Sequence, residues 1–192
     1  MGGLLIVLAI IVILVIWIIG IYNGLVRLRN QTKNAWSQID VQLKRRFDLI
    51  PNLIETVRGY MEHERGTLEA VTNARNLAQS VANGTPGERA AAEGQLGSAL
   101  ARLLVVVENY PNLKANQNFL ALQEELTGTE NKISFSRQYY NDSVLAYNNK
   151  IQMFPSNVVA NMSGFKQGEF FEVTAPAERE APKVNFNAPP KP

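Results

Sequence analysis

The stretch GLLIVLAIIVILVIWIIGIY, residues 3–22, is an unbroken apolar run, and no charged side chain stands anywhere in residues 1–26. Wound as a helix rising about 1.5 Å per residue, the run reaches about 30 Å, the thickness of a bilayer's hydrocarbon core. That length predicts a transmembrane helix. A cleaved secretory signal has a basic start, a shorter apolar stretch of roughly 7–15 residues and a small-x-small cut site. Here no Lys or Arg precedes the run, and Tyr22-Asn23-Gly24-Leu25 offers no such site. A lipoprotein anchor needs a cysteine, which the chain lacks, and Ile6 stands where a myristoylation motif wants Ser or Thr. A helix apolar all round belongs to the core of a large protein or to a membrane, and this chain is small. The reading is an uncleaved anchor over residues 1–24.

Charge sets the expected orientation. Arg27, Arg29 and Lys33 follow the run closely, so the positive-inside rule puts the amino terminus outside and everything after Tyr22 in the cytoplasm. Trp17 and Tyr22 fit an aromatic belt at the inner interface. Arg27, Arg29 and Lys33 are placed to meet phosphate headgroups.

The remaining residues suffice for one domain with a core of its own. Nineteen basic against 17 acidic residues leave a net charge of +2, too balanced for a nucleic-acid binder. With no Cys, disulfide frameworks, thiolate zinc sites and cysteine nucleophiles are excluded.

The soluble part reads as all-α. Apolar residues recur at three- and four-residue steps through Leu25, Leu28, Ala35, Trp36, Ile39, Leu43, Phe47, Ile50, Ile54, Val57 and Met61. The series goes on through Leu68, Val71, Leu77 and Val81, a helical stripe rather than an alternation. Only Gly24 interrupts residues 22–47, so the anchor runs straight into the first soluble helix. Pro51 removes a backbone donor and disfavours helix at Ile50, which predicts a kink or brief break near residues 48–51. The stripe resumes in phase, favouring a kink over a reversal.

A turn follows at residues 83–88. Gly84 suits a left-handed C′ position, Thr85 an N-cap, Pro86 the first helical residue and Glu88 the reciprocal partner of a capping box. An Ala-rich helix then runs from Pro86 to about Asn109, where Tyr110-Pro111-Asn112 ends it. A last long helix of about 37 residues begins near Asn116 and stops at Phe154-Pro155; at about 55 Å it makes the domain a rod. Its heptad-like spacing suits near-parallel packing. A short helix is expected over residues 156–162. The domain is read as residues 25–173, followed by a Pro-rich tail over residues 174–192 without a core of its own.

Several long motifs now carry a resemblance. Tyr22-Asn23 to Arg29-Asn30, AWSQIDVQLKRRFDLIPNLIETVRGY (residues 35–60) and ENYPNLKANQNFLALQEELTGTENKI (residues 108–133) come in order. Tyr140-Asn141, Tyr147-Asn148, Phe154-Pro155, Gly164-Phe165 and Phe170-Phe171-Glu172 follow. Together they resemble the LemA family of bacterial membrane proteins. The resemblance implies an elongated antiparallel bundle of long helices behind one amino-terminal anchor, at a bacterial inner membrane, in the company of other membrane or peptidase proteins. It implies no particular activity, since the family has no agreed biochemical function.

Motifs that carry chemistry are missing. His63 is the one histidine; a zinc-protease motif would need a second at position 67, where Thr67 stands, and a bundle di-metal site wants two Glu-x-x-His sequences. Ser37 and Ser136 lack the elbow or Gly-rich turn of a nucleophile. Asp48, Glu55, Glu108, Glu125 and Glu130 are an oxygen-rich set for magnesium or calcium, but follow no loop signature and read better as partners for Arg. Gly84, Gly87, Gly94 and Gly97 precede no GKS or GKT sequence, and Gly94 and Gly97 read as points of close helix approach. We therefore expect no catalytic residue, no cofactor and no metal.

Two features remain as candidate interaction sites. Lys44-Arg45-Arg46 is the densest basic run, about 33 Å beyond the bilayer edge on a continuous helix and so outside the reach of lipid charge in physiological salt. It reads as pairing with Glu124, Glu125 or Glu130 across the bundle, or as docking an acidic partner. Asn141 and Asn148 lie seven residues apart on one face. Asn is a mediocre helix former, so they read as a polar ladder fixing register within the chain or between subunits.

The leading function is a non-enzymatic membrane-anchored scaffold that self-associates laterally as a homo-oligomer. A membrane-tethered adaptor or sensor, docking a partner such as a peptidase through the tail and Lys44-Arg45-Arg46, is the alternative. A carboxylate and divalent-ion hydrolase ranks last.

Overall fold

Gly2–Arg58, 57 residues, form one helix, α1, in the computed structural model, which describes residues 1–61 and 63–172. At about 1.5 Å per residue it is about 85 Å long. Its first third is bare: the large apolar side chains from Leu4 to Ile19 are all exposed. Burial begins at Ile21 and Leu25, and further along Ala35, Ile39, Leu43, Ile50, Leu53 and Val57 mark the inward stripe.

Pro51 lies inside α1, and the helix runs past it without the break considered above. Proline supplies no N–H to the carbonyl four residues back, that of Phe47. Arg75 takes the vacant place, its Nε donating to the Phe47 oxygen at 2.9 Å. A side chain from another helix thus satisfies the group that Pro51 leaves free.

The stripe does not carry on through Val81 in the same helix. The chain turns at Gly59 and Tyr60, and a separate helix, α2 (Arg65–Ser80), folds back along the upper end of α1. Matching phase concealed a reversal, because two antiparallel helices sharing a core both show a 3.6-residue period. Met61 is fully buried at the turn.

The next connection forms as read. Thr85 Oγ1 accepts from the Glu88 N–H at 3.3 Å, and the Glu88 carboxylate accepts from the Thr85 N–H at 2.8 Å, opening α3 (Pro86–Val107). Gly84 differs from expectation, since the one left-handed glycine among the described residues is Gly164. Its bareness serves close approach instead: a Cβ there would stand 2.8 Å from the Glu88 carboxylate and 3.0 Å from the Val81 oxygen. Gly94 and Gly97 are corrected in the opposite sense, for a Cβ on either would meet nothing within 4 Å. Although α3 is long and apolar enough to cross a membrane, Leu96, Leu100, Leu103 and Val107 bury it in the bundle.

One turn of helix, α4 (Pro111–Lys114), leads to α5 (Gln117–Gln152), 36 residues long. Asn116 caps it, Oδ1 accepting from the Phe119 N–H at 3.1 Å, while Nδ2 donates to the Tyr60 hydroxyl at 3.1 Å. From that point α5 descends antiparallel to α1, through Arg45 with Glu125, Trp36 with Tyr140 and Thr32 with Ser143. At its foot α6 (Ser156–Met162) turns back, the Ser156 hydroxyl donating to the Lys150 and Met153 carbonyls. Gly164, at φ 71°, closes α6 as the Phe165 N–H reaches the Ala160 oxygen at 3.0 Å. The upper half is therefore a four-helix bundle of α1, α2, α3 and α5, and the lower half a stalk of α1 and α5 with α6 at its base. The tail read over residues 174–192 lies outside the described residues.

Candidate functional site

At the membrane end, Trp17 and Tyr22 are exposed, as are Arg27, Arg29 and Lys33. Arg29 and Tyr22 share a partner in Phe165: the Arg29 guanidinium carbon sits 5.1 Å above that ring, and the Tyr22 ring meets it edge-on at 5.6 Å. Phe165 thereby pins the chain emerging from α6 against the foot of α1.

All three cations of the basic run face carboxylates of this chain. Lys44 reaches Asp48 at 2.8 Å, one turn along on the exposed side of α1. Arg45 grips Glu125 with one nitrogen at 3.0 and 3.1 Å. Arg46 points inward and is only 1 % exposed. It pairs with Glu130 at 2.8 Å and with Glu93, itself 2 % exposed, so one guanidinium ties α1 to both α3 and α5. Glu93 escaped the sequence reading; its signal was a charge amid the buried Ala and Leu positions of α3. Arg137 stands near this group, and burial lowers its affinity for the proton, as does the like charge of Arg46, while Glu130 opposes both.

Asn141 and Asn148 both turn to an extended segment of the same chain rather than to another of its helices. Residues 165–172 run back up the stalk, and each side-chain amide pairs with both the N–H and the C=O of one of these residues. Asn148 Nδ2 donates to the Gly168 oxygen at 2.9 Å, and the Gly168 N–H donates to Asn148 Oδ1 at 2.8 Å. Asn141 repeats the pattern at Phe171, with arms of 3.4 and 2.8 Å. The spacing is a match of two repeats: seven helical residues rise about 10.5 Å, and three extended residues span about 10 Å. Between the two clips the Tyr140 hydroxyl donates to the Glu169 oxygen at 2.8 Å. Burial pushes the Tyr140 phenol above its ordinary range, and Glu169 adds to the shift. Phe171 then lies beside Trp36 and beneath the guanidinium of Arg137. The Asn periodicity was visible in sequence; its partner, a backbone with no side-chain signature, was not.

The carboxylates weighed for a cation are dispersed. Glu55 pairs with Arg58 and Glu108 with Lys114, as Asp48, Glu125 and Glu130 do with the basic run. No group of three potential metal ligands occurs among the described residues. His63 is exposed in the turn between α1 and α2. An open groove between α2 and α3, bordered by Gly66, Asn73, Gly94, Ser98 and Arg102, brings no nucleophile and base together.

Comparison with known proteins assigns most of the sequence to a family. A family model for LemA covers residues 35–186. The chain belongs to the LemA family. Among LemA relatives, Magnetosome protein MamQ 2 of Paramagnetospirillum magneticum is 26 % identical over 175 residues, 79 % of this chain and 64 % of that protein. MamQ of Magnetospirillum gryphiswaldense is likewise 26 % identical, over 174 residues, with 78 % and 64 % covered. Protein LemA of Metamycoplasma hominis is 31 % identical over 144 residues, 74 % of this chain and 64 % of that protein. The chain thus matches just under two thirds of the length of these LemA relatives. Membership and the bare apolar helix together point to a membrane location.

Proposed function

We infer that this protein is a non-enzymatic scaffold of the bacterial inner membrane, anchored by residues 3–22 with its bundle in the cytoplasm, and that it self-associates laterally. The observation that carries the reading is the continuity of α1, one helix from the bare apolar segment to the core of the bundle. A flexible linker would let the bundle swivel on its anchor. A continuous helix holds it upright, so neighbouring copies present the same faces at the same height.

One such face supports the lateral contact. Arg45, Glu124, Gly128 and Lys132 border a shallow groove where α1 meets α5. Val41 lies one turn before Arg45, Phe135 lies two turns beyond Gly128, and both are well exposed. Exposed apolar side chains of this size on adjoining helices favour burial against a like surface. The kinship with proteins named for magnetosomes agrees with a membrane setting. The adaptor reading draws on a basic run whose cations are engaged internally and on a tail outside the described residues, so the scaffold is preferred.

Native electrophoresis and light scattering in mild detergent test it. A defined particle larger than one copy is expected, and Val41→Glu with Phe135→Glu should shift it towards the monomer. A monomer at every concentration defeats the proposal.

A further inference from the structure

We propose that the elbow between α5 and α6 is a second membrane contact, seated in the interfacial layer of the bilayer that α1 crosses. The inference rests on the reading that residues 3–22 span that bilayer. Height comes first. Antiparallel register pairs Tyr60 with Asn116, Trp36 with Tyr140 and Thr32 with Ser143. Continued downward, it brings Met153 and Phe154 level with the last turn of the apolar run. Independent contacts agree: Lys150 borders a recess with Trp17 and Gly20, and Ile151, Val159 and Ala160 cluster with Ile21.

The chemistry at that height is interfacial. Phe154 is 81 % exposed, Met162 84 % and Met153 63 %, and Val158 is exposed beside them. Large apolar side chains bare to this degree on one elbow, next to an apolar anchor, form a continuation of its surface. The flanking charge has one sign. Residues 1–39 and 143–168 contain no Asp or Glu, whereas Lys150 and Lys166 lie on either side of the elbow. Apolar tips with long cationic side chains beside them fit a layer of anionic headgroups over acyl chains. A second copy of the chain would bring the same positive charge and repel. Anchored at two points, the stalk is fixed in tilt and rotation as well as in depth.

The absence of native cysteine allows single reporters. Full-length chains carrying Phe154→Cys, Met162→Cys, Val105→Cys or Ile11→Cys are labelled with an environment-sensitive fluorophore and reconstituted in phosphatidylethanolamine–phosphatidylglycerol vesicles. Helical circular dichroism confirms that each is folded. Reporters at 154 and 162 are expected to emit at blue-shifted wavelengths, to lose most emission to a lipid-borne spin label and to resist iodide. The reporter at Val105, exposed in the bundle, should behave oppositely. Iodide quenching at 154 and 162 like that at 105, with Ile11 still lipid-quenched, overturns the second contact alone. Protection from both quenchers assigns the elbow to protein and also overturns it. Iodide quenching at Ile11 removes the anchor reading itself.

Discussion

The two halves of the molecule solve the same packing problem with different materials. In the upper half four helices surround a core that includes Leu43, Ile50, Leu53, Leu96, Leu103 and Ile133. In the lower half only α1 and α5 run side by side, and two helices cannot enclose a core. The stalk completes itself with α6 and with residues 165–172, drawn from the far end of the chain, around Ile21, Leu25, Tyr147, Ile151 and Phe165. The polar groups differ accordingly. The bundle buries an ion pair between helices, whereas the stalk uses neutral amides to hold a segment with no helical hydrogen bonds of its own. Where helices are plentiful, side chains need only find side chains; where they are few, side chains must also satisfy backbone.

Breaking the charged centre of the bundle tests this contrast most severely. Arg46→Met leaves Glu93 buried without its cation and should destabilise the fold by about 3–5 kcal/mol, read from guanidinium unfolding of the detergent-solubilised protein. Arg46→Met with Glu93→Met should recover most of that loss. If the single variant unfolds like the wild type, the ion pair is not what joins α1 to α3.

A smaller and more local effect is expected at the clips. Asn148→Ala strands the N–H and C=O of Gly168, a cost of about 1–3 kcal/mol. Hydrogen exchange should rise over residues 165–172 while the bundle stays protected. Asn141 is less buried and has one long arm, so Asn141→Ala should loosen Phe171 with a milder penalty. Exchange rising equally in both halves would show that stalk and bundle unfold as one unit.

Arg75→Met probes the join at Pro51. It leaves the Phe47 carbonyl without a donor and should cost about 1 kcal/mol, with faster exchange confined to the neighbourhood of Pro51. A neutral result would mean that water replaces the guanidinium there.

The gentlest perturbation is alkaline pH. The folded Tyr140 phenol titrates above its ordinary value near 10, so its contribution is complete below that value and is lost as pH rises through the folded one. Stability should therefore fall above about pH 10, and Tyr140→Phe should flatten part of the decline. Tyr147 follows the same direction, with burial raising its phenol and Arg29 opposing. An unchanged slope in Tyr140→Phe would remove the phenol from the account.

Features decided by neighbours in the chain could be read directly from the residues. The apolar run, the helical stripes, the capping box at Thr85 and Glu88, and the end of α5 before Pro155 all depend on groups within a few positions of one another. Each can be judged from composition and spacing because the competing conformations are local. Choices of partner could not. The turn at Gly59, the rescue of the Phe47 carbonyl by Arg75, the inward rotation of Arg46 toward Glu93 and the pairing of Asn148 with Gly168 join residues distant in sequence. What stands opposite each group depends on which helices lie beside it, and only the assembled tertiary structure, in which buried polar groups must find partners, determines that.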